Sequence, residues 1–246
     1  MQFIAAGTLC RGSSLSPDEE PEEFICLSEF FIDRDPVTNA QFAEFIDDGG
    51  YQKPTLWTPY GWHKAQELGL REPNYWRDPV WNSSDVPVTG VSWWEALAFA
   101  RWAGKTLPTE AQWEYACKGP DAYVYPWGDE QPNPCLANYA PECEPEVRAP
   151  TTPGHYKRNV SPFGCRDLVG NFAEWCLDNY APRYKTAASN PLHYTDEQGE
   201  HVVRGGCGLH DEDYLRCSAR DHYPPGVRDN LIGFRCAAMA RPAGDQ

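Results

Sequence analysis

Apolar residues recur at helical spacing in three parts of the chain. Each part opens with a Thr or Ser three residues before a Glu or Gln, at positions 38–41, 92–95 and 109–112. This is the capping box, in which the two side chains satisfy backbone N–H donors at a helix start. Apolar residues follow three and four positions apart, as Phe42, Phe45 and Ile46 do after the first box. The pattern predicts three short helices, the first two closed by Gly49-Gly50 and Gly104.

Shorter apolar runs elsewhere predict β-strands. These runs are Phe30 to Asp33, His201 to Arg204 and Ile232 to Cys236. The 23 prolines and 20 glycines indicate many turns, and the run from Pro17 to Glu23 is expected to form an acidic surface loop. No internal repeat or long linker divides the chain. We therefore expect residues 1–246 to form a single α+β domain with an irregular, loop-rich fold.

The net charge and hydropathy of the chain argue against two classes of partner, nucleic acids and membranes. The formal net charge is −15, and no Lys- or Arg-rich stretch offsets it, so we expect no nucleic-acid partner. No apolar run approaches the ~20 residues of a membrane span, which argues against a membrane partner. The apolar start from Met1 to Leu9 has no basic leader and is too short for a signal peptide. A cytoplasmic location is expected.

The cysteine content complicates that location. Ten cysteines are many for a reducing compartment, and some are expected to pair. No Cys-x-x-Cys pair occurs, which argues against a zinc ribbon or a thioredoxin-type site. The sequence leaves the connectivity open.

A series of motifs runs the length of the chain. In order they are Phe31–Asn39 (FIDRDPVTN), Pro87–Trp93 (PVTGVSW), Trp102–Tyr115 (WAGKTLPTEAQWEY), Tyr125–Gly128 (YPWG), Asp167–Trp175 (DLVGNFAEW), Arg204–Gly206 (RGG) and Gly233–Arg235 (GFR). With these motifs the chain resembles the formylglycine-generating-enzyme (sulfatase-modifying-factor) family from about its first residue to Cys236. The resemblance implies an elaborated C-type-lectin-like fold with few regular elements, many loops and structural calcium.

The calcium ligands are implied by one motif of the family. Its Gly-Asn-x-x-Glu segment supplies oxygen ligands, which suit Ca²⁺, and Asn171 and Glu174 match it. The alternative is that Asn171 caps a turn and Glu174 pairs with a basic residue. A second family site begins at an Asn matched by Asn138, but the Asp partner of that site has no clear counterpart here.

Two disulfides are also implied by the resemblance. Cys117 and Cys236 match one disulfide of the vertebrate-type enzymes, and Cys135 and Cys217 match another. The resemblance therefore implies Cys117–Cys236 and Cys135–Cys217. Free buried thiols that pack as small apolar side chains are the alternative.

The resemblance ends at the residues that carry the family's chemistry. The true enzymes hold copper with two cysteine thiolates four residues apart, just after Gly-Gly-Ser. Here Cys207 takes the place of that Ser, and nine residues separate it from Cys217. We expect neither copper nor formylglycine-generating oxidase activity, and leave other enzymatic activity open.

Two functions compete for the segment that follows Gly205-Gly206. Its polar and aromatic side chains are His210, Asp211, Glu212, Asp213, Tyr214, Asp221, His222 and Tyr223. In the first hypothesis, residues 207–231 present a surface that binds a small molecule, a peptide or a protein.

In the second hypothesis, the chain is a divergent metal-dependent oxidoreductase or oxygenase. Two histidines and a carboxylate are a ligand set for iron, so His210 and His222 are candidate catalytic residues. Cys207 is a further candidate as a reactive thiol, although the surrounding carboxylates are expected to raise its pKa. Some relatives in the family are iron-dependent oxygenases, but their His ligands come largely from an extra domain that has no match in this sequence.

Overall fold

The computed structural model describes residues 1–140, 149–184 and 197–240. The α-helices in these ranges are α1 (Asn39–Asp47), α2 (Pro59–Glu67), α3 (Trp93–Trp102) and α4 (Glu110–Lys118). The strands are β1 (Gln2–Ile4), β2 (Gly7–Arg11), β3 (Glu23–Leu27), β4 (Phe30–Ile32), β5 (Ala173–Asn179), β6 (His201–Arg204), β7 (Arg220–Tyr223), β8 (Ile232–Gly233) and β9 (Ala237–Met239). None of the helices in these ranges has the length and apolar character of a membrane span.

The strands form three small sheets. β1, β4 and β9 form one sheet, with β4 in the middle, and β2 pairs with β3 in an antiparallel hairpin. The third sheet has the order β7-β6-β5-β8, and only its β5–β8 pair is parallel. The result is an α+β fold in which short elements are joined by long irregular connections, as predicted.

The three predicted capping boxes are confirmed. The hydroxyls of Thr38, Ser92 and Thr109 each accept a hydrogen bond from the backbone three residues on, at the starts of α1, α3 and α4. The pattern missed α2, although Thr58 caps this helix and Pro59 occupies its first turn. Thr-Pro at a helix start is a usable signal, because proline has no N–H that needs a partner there.

The strand predictions are confirmed only in part. Phe30–Ile32 and His201–Arg204 are strands, but the run that begins at Ile232 ends at Gly233, and β9 is a separate strand. β5 was missed because its first four residues are all buried, so it lacks the alternation of a half-buried strand.

The acidic run near the N-terminus is not wholly a surface loop. Glu23 begins β3, and Glu19 is buried at 1% exposure. A carboxylate oxygen of Glu19 lies 2.7 Å from Nη1 of Arg216, which explains how this charge is accommodated. That prediction was wrong for Glu19 because its partner lies 197 residues away.

The predicted disulfide pairs were also wrong. Cys117 is bonded to Cys217, with their Cα atoms 5.7 Å apart. The amide of Cys217 donates to the carbonyl of Val124 (2.8 Å), which brings Cys217 beside the end of α4. Cys236 is a free thiol in a different apolar cluster from Cys117, and Cys135 is a free exposed thiol. The alternative of free buried thiols is thus realised at Cys236.

Candidate ligand-binding face

Residues 207–231, here called the binding face, include β7 and the irregular segments on either side of it. Cys207, Leu215 and Cys217 are buried. Leu209 and Tyr214 between them are exposed at 45% and 40%. The binding face therefore presents exposed side chains, and the buried residues between them fix its backbone to the core.

The anchor is a buried ionic network between α4 and the sheet. Arg204, fully buried, donates from its two Nη atoms to Glu110 (3.0 Å) and Glu114 (2.8 Å) of α4. Its Nη2 also donates to the carbonyl of Cys217 (2.7 Å), inside the binding face. Arg220 of β7 donates from Nε to Glu110 at 2.6 Å. These motif residues thus serve to hold the binding face in place.

The carboxyl group of Glu114 in this network is ionised even in acid. Burial by itself raises the pKa of Glu114, but the charges of Lys118 and Arg204 outweigh it and lower that pKa to about 2. Lys118 Nζ lies 2.8 Å from Glu114. Glu114 therefore keeps its charge over the whole ordinary pH range.

His210 and Tyr214 form a stacked pair on the binding face. Their ring centroids are 4.1 Å apart, with an interplanar angle of 24°. Nδ1 of His210 is buried and has no hydrogen-bond partner among the described residues. Burial lowers the pKa of His210, although the charges of Asp221 and Asp211 oppose this shift. The imidazole is therefore neutral near pH 7.

Five carboxylates of the binding face have no ion-pair partner among the described residues: Asp211, Glu212, Asp213, Asp221 and Asp229. Asp211 accepts from the backbone N–H of Asp213 (3.1 Å) and caps the 3₁₀ turn Glu212–Leu215. Burial raises the pKa of Tyr214, and the charges of nearby aspartates raise it further. The area around Tyr214 is thus a region of negative potential.

Cys207 lies beneath the binding face at 3% exposure. Burial raises the pKa of its thiol to about 11, although the N–H groups of Leu209 and His210 donate to the sulfur and oppose the shift. Carboxylates were expected to raise this pKa; those of Asp229 and Asp221 do so, but burial is the larger cause. Because a protonated thiol is a weak nucleophile, Cys207 is not activated for covalent chemistry in this arrangement.

The two candidate histidines have different partners. His222 stacks on Tyr180, with ring centroids 3.7 Å apart, and its Nδ1 lies 3.0 Å from Glu200. Asp221 accepts from the backbone N–H of His222 (2.8 Å) and from the hydroxyl of Tyr223. Within residues 1–140, 149–184 and 197–240, no group of three or more His, Cys, Asp or Glu side chains is placed to hold a metal ion. The described part of the chain does not assemble the 2-His-1-carboxylate arrangement.

A cleft of about 310 Å³ borders the binding face. Its lining residues are Leu15, Ser16, Asp18, Glu19, Asp213, Tyr214, Arg216, Ala219 and Arg220. The N-terminal loop is held there because Arg220 Nη1 donates to the carbonyl of Asp18 at 2.6 Å. Sequence reasoning missed this wall of the site, since no local pattern reveals a contact across 202 residues.

The predicted calcium ligands make contacts within the protein. The carboxylate of Glu174 accepts from Nε and Nη2 of Arg235 at 2.7 and 2.8 Å, and both residues are buried. Oδ1 of Asn171 accepts from Nδ2 of Asn138 and from the backbone N–H of Thr151, both at 3.0 Å. Glu174 therefore pairs with a base, which is the alternative role that the sequence left open for it.

Comparison with known proteins places this fold among its relatives. The family model of the sulfatase-modifying factor enzyme 1-like domain matches residues 1–240. The hercynine oxygenase of Mycolicibacterium smegmatis is 35% identical over 240 residues, covering 89% of this chain and 55% of that protein. The chain thus spans about half the length of that relative.

Two further comparisons cover nearly the full length of both partners. The formylglycine-generating enzyme of Mycobacterium tuberculosis is 30% identical over 289 residues, and the match covers 96% of this chain and 96% of that protein. The structure of PvdO from Pseudomonas aeruginosa has the same fold, with a TM-score of 0.75, 20% identity, and coverage of 97% of this chain and 93% of that one. This chain therefore belongs to the formylglycine-generating-enzyme (sulfatase-modifying-factor) family.

Proposed function

We propose that this chain is a ligand- or protein-binding domain whose binding face contacts a small molecule, a peptide or a protein. The observation that carries the proposal is the exposure of Leu209 and Tyr214 above a backbone anchored through fully buried Arg204. An anchored backbone lowers the entropy that a surface loses when it binds.

The negative charge of the binding face favours a ligand of opposite charge. The charges of Asp211, Asp213 and Asp221 act on the stacked rings of His210 and Tyr214, and the neutral imidazole does not offset them. Carboxylates attract cations, and aromatic rings bind cations through their faces. A ligand with a positively charged group is therefore the best match.

The state of the catalytic candidates supports binding over covalent catalysis. The copper-binding cysteine pair of the family is absent from the sequence, and Cys207 is a buried thiol with a raised pKa. Five charged residues of the family motifs are engaged in ion pairs with one another: Glu110, Glu114, Glu174, Arg204 and Arg235. What is left exposed is a surface of aromatic and acidic side chains.

The proposal is tested by titration with fluorescent basic and acidic peptides of matched length and with small quaternary ammonium compounds. We expect the basic peptides or the ammonium compounds to bind, and Tyr214→Ala or Asp221→Asn to abolish that binding. The control is Tyr75→Ala, because Tyr75 is exposed to a similar extent (44%) outside the binding face. Binding that survives the first two variants and is lost in the control contradicts the proposal.

The second candidate function is that of an oxygenase component. It is favoured by the 35% identity to a hercynine oxygenase of which this chain spans 55%. Under this hypothesis the binding face holds the substrate, and iron ligands come partly from outside the described residues. Stoichiometric iron by elemental mass spectrometry, lost in His210→Ala or His222→Ala, together with oxygen uptake, would establish it over simple binding.

Calcium and the cytoplasmic location stay proposals for this chain. The thermal midpoint with and without added Ca²⁺ tests the first. A calcium-dependent rise that disappears in Asn171→Ala supports the ion, whereas an unchanged midpoint contradicts it. The cytoplasmic location is tested by fractionation of cells that express the full-length gene product.

A further inference from the structure

The outward side of the β2–β3 hairpin carries two cysteines. In the antiparallel register Thr8 is opposite Cys26, and Cys10 is opposite Phe24. Opposite residues of a pair share one side of a sheet, as do alternate residues of a strand. Cys10 and Cys26 therefore lie on the same side, as diagonal neighbours.

That side of the hairpin is open to solvent. Cys26 is exposed, Cys10 is partly exposed, and both are free thiols. Phe24 beside them is 79% exposed, whereas Leu9 and Ile25, which alternate with these residues, are buried. The two thiols are thus accessible together.

The hairpin holds the two strands in a defined register. Arg11 forms an ion pair with Glu23, the residue opposite it, at the end of the hairpin where the loop joins the two strands. Nζ of the buried Lys118 donates to the carbonyl of Cys10 at 3.0 Å, which ties β2 to α4. Slippage that separates the two cysteines would break these contacts.

The spacing of diagonal neighbours favours a bridged pair over a direct bond. Diagonal residues of an antiparallel pair are about 7–8 Å apart, whereas a disulfide requires Cβ atoms about 3.5–4.5 Å apart. A metal ion between the sulfurs inserts two bonds of about 2.3 Å each. The cysteines are therefore placed for one ion between two sulfurs.

We propose that Cys10 and Cys26 form a two-thiolate site for a soft monovalent metal ion of the Cu(I) class. Thiolates select soft ions, and Cu(I) accepts two sulfur ligands, whereas structural zinc takes four. On binding, each thiol releases one proton to solvent, two sulfur–metal bonds form, and the ion keeps its oxidation state. The site lies on the N-terminal hairpin, separate from the binding face, and is independent of the proposed function. It is also distinct from the catalytic copper site of the family, which follows the Gly-Gly motif and which this chain is not expected to form.

The test is an anaerobic titration of the reduced full-length chain with Cu(I) against a coloured Cu(I) chelator. We expect the wild type to retain about one equivalent more than Cys10→Ser or Cys26→Ser, because a two-ligand site is lost with either ligand. The matched control is Cys135→Ser, since Cys135 is an exposed thiol without such a neighbour in the register of the described strands. This variant should retain as much copper as the wild type.

Labelling provides a second measurement that does not depend on variants. Ag(I), a Cu(I) substitute, should protect Cys10 and Cys26 together from alkylation by N-ethylmaleimide and leave Cys135 reactive, as read by peptide mass mapping. Copper retention unchanged in both serine variants, or protection of only one of the two cysteines, overturns the proposal. A Cys10–Cys26 disulfide formed in air also overturns it, because it would show that the two sulfurs approach to bonding distance.

Discussion

Among individual residues, the most consequential contacts are those of buried charges. Glu174 and Arg235 are 1% and 0% exposed, and Glu174 also accepts from Nε1 of Trp113 at 2.8 Å. The sequence marked Glu174 as a motif residue and left two roles open, metal ligand or partner of a base. The structure identifies Arg235 as that base, 61 residues away.

Glu174→Gln is expected to destabilise the protein. The change leaves the buried guanidinium of Arg235 without its counter-charge, a loss of about 3–5 kcal/mol for a broken buried pair. Urea unfolding measures it. Glu72→Gln, which removes the partner of exposed Arg77, is the control and should have little effect. Equal stability of Glu174→Gln and the wild type would refute a structural role for the pair.

Asp167 gives a pH dependence that can be isolated. Burial raises its pKa to about 6 from an ordinary value of 3.8, against the opposing N–H of Gly154 and the charges of Arg235 and Arg166. Between these two values the folded protein binds a proton that the unfolded chain has released. The stabilising contribution of Asp167 is therefore complete below pH ~4 and lost as the pH rises through ~6.

Asp167→Asn should consequently match the wild type near pH 4 and be more stable at pH 7. A shift of about two units corresponds to a gain on the order of 3 kcal/mol. Asn also tolerates the positive φ of 52° at this position. Urea unfolding at both pH values measures the difference, and exposed Asp121→Asn is the control. A variant that is less stable than the wild type at pH 7 contradicts the assignment.

Among the elements, α4 connects the sequence pattern to the site. Its capping box was readable from Thr109 and Gln112, and its Glu110 and Glu114 anchor the arginines beneath the binding face. The backbone N–H of Glu110 is bonded to Asp178 of β5 at 2.7 Å. The start of α4 is thus held by both a local and a distant partner.

Thr109→Ala should lower the free energy of unfolding by about 1 kcal/mol, because one N-terminal N–H of the helix loses its acceptor. Thr109→Ser keeps the hydroxyl and should recover most of that stability. Urea unfolding of the two variants measures the effect. Equal losses in both would show that packing of the methyl group, and not the cap, is responsible.

For the molecule as a whole, one disulfide links α4 to the binding face. Cys117 and Cys217 are separated by 100 residues, so their bond closes a long loop. Both lie in the apolar cluster that includes β1, β2 and β3 residues, whereas Cys236 lies in the cluster of α1 and α3. The partner that the family resemblance implied for Cys117 thus packs in a different cluster from it.

Replacing Cys117 and Cys217 together by Ala should lower the free energy of unfolding by about 2–5 kcal/mol, because the unfolded chain regains the entropy of the open loop. Denaturant unfolding without reductant measures it, with Cys135→Ser as a control that should leave stability unchanged. Peptide mapping of the oxidised wild type should recover Cys117 joined to Cys217. Recovery of Cys117 joined to Cys236 would restore the family pairing.

Local patterns were sufficient where the interaction itself is local. The capping boxes at Thr38, Ser92 and Thr109 involve residues three positions apart, so the sequence determined where α1, α3 and α4 begin. The motif order determined the family, and the absence of the copper-binding pair was equally readable. The candidate side chains of the binding face were also named, since their polar and aromatic character is a property of each residue alone.

Only the tertiary structure decided which distant residues meet. The base for Glu174, the cysteine bonded to Cys117, and the loop around Asp18 that completes the cleft all depend on contacts across 61 to 202 residues. It also decided the protonation of Cys207 and His210, because burial, the main cause of both pKa shifts, is a property of the packed chain. Hydrogen bonds within one helical turn join residues at a fixed spacing, so they can be recognised in the sequence. A contact between distant parts of the chain has no fixed spacing, so no sequence pattern reveals it.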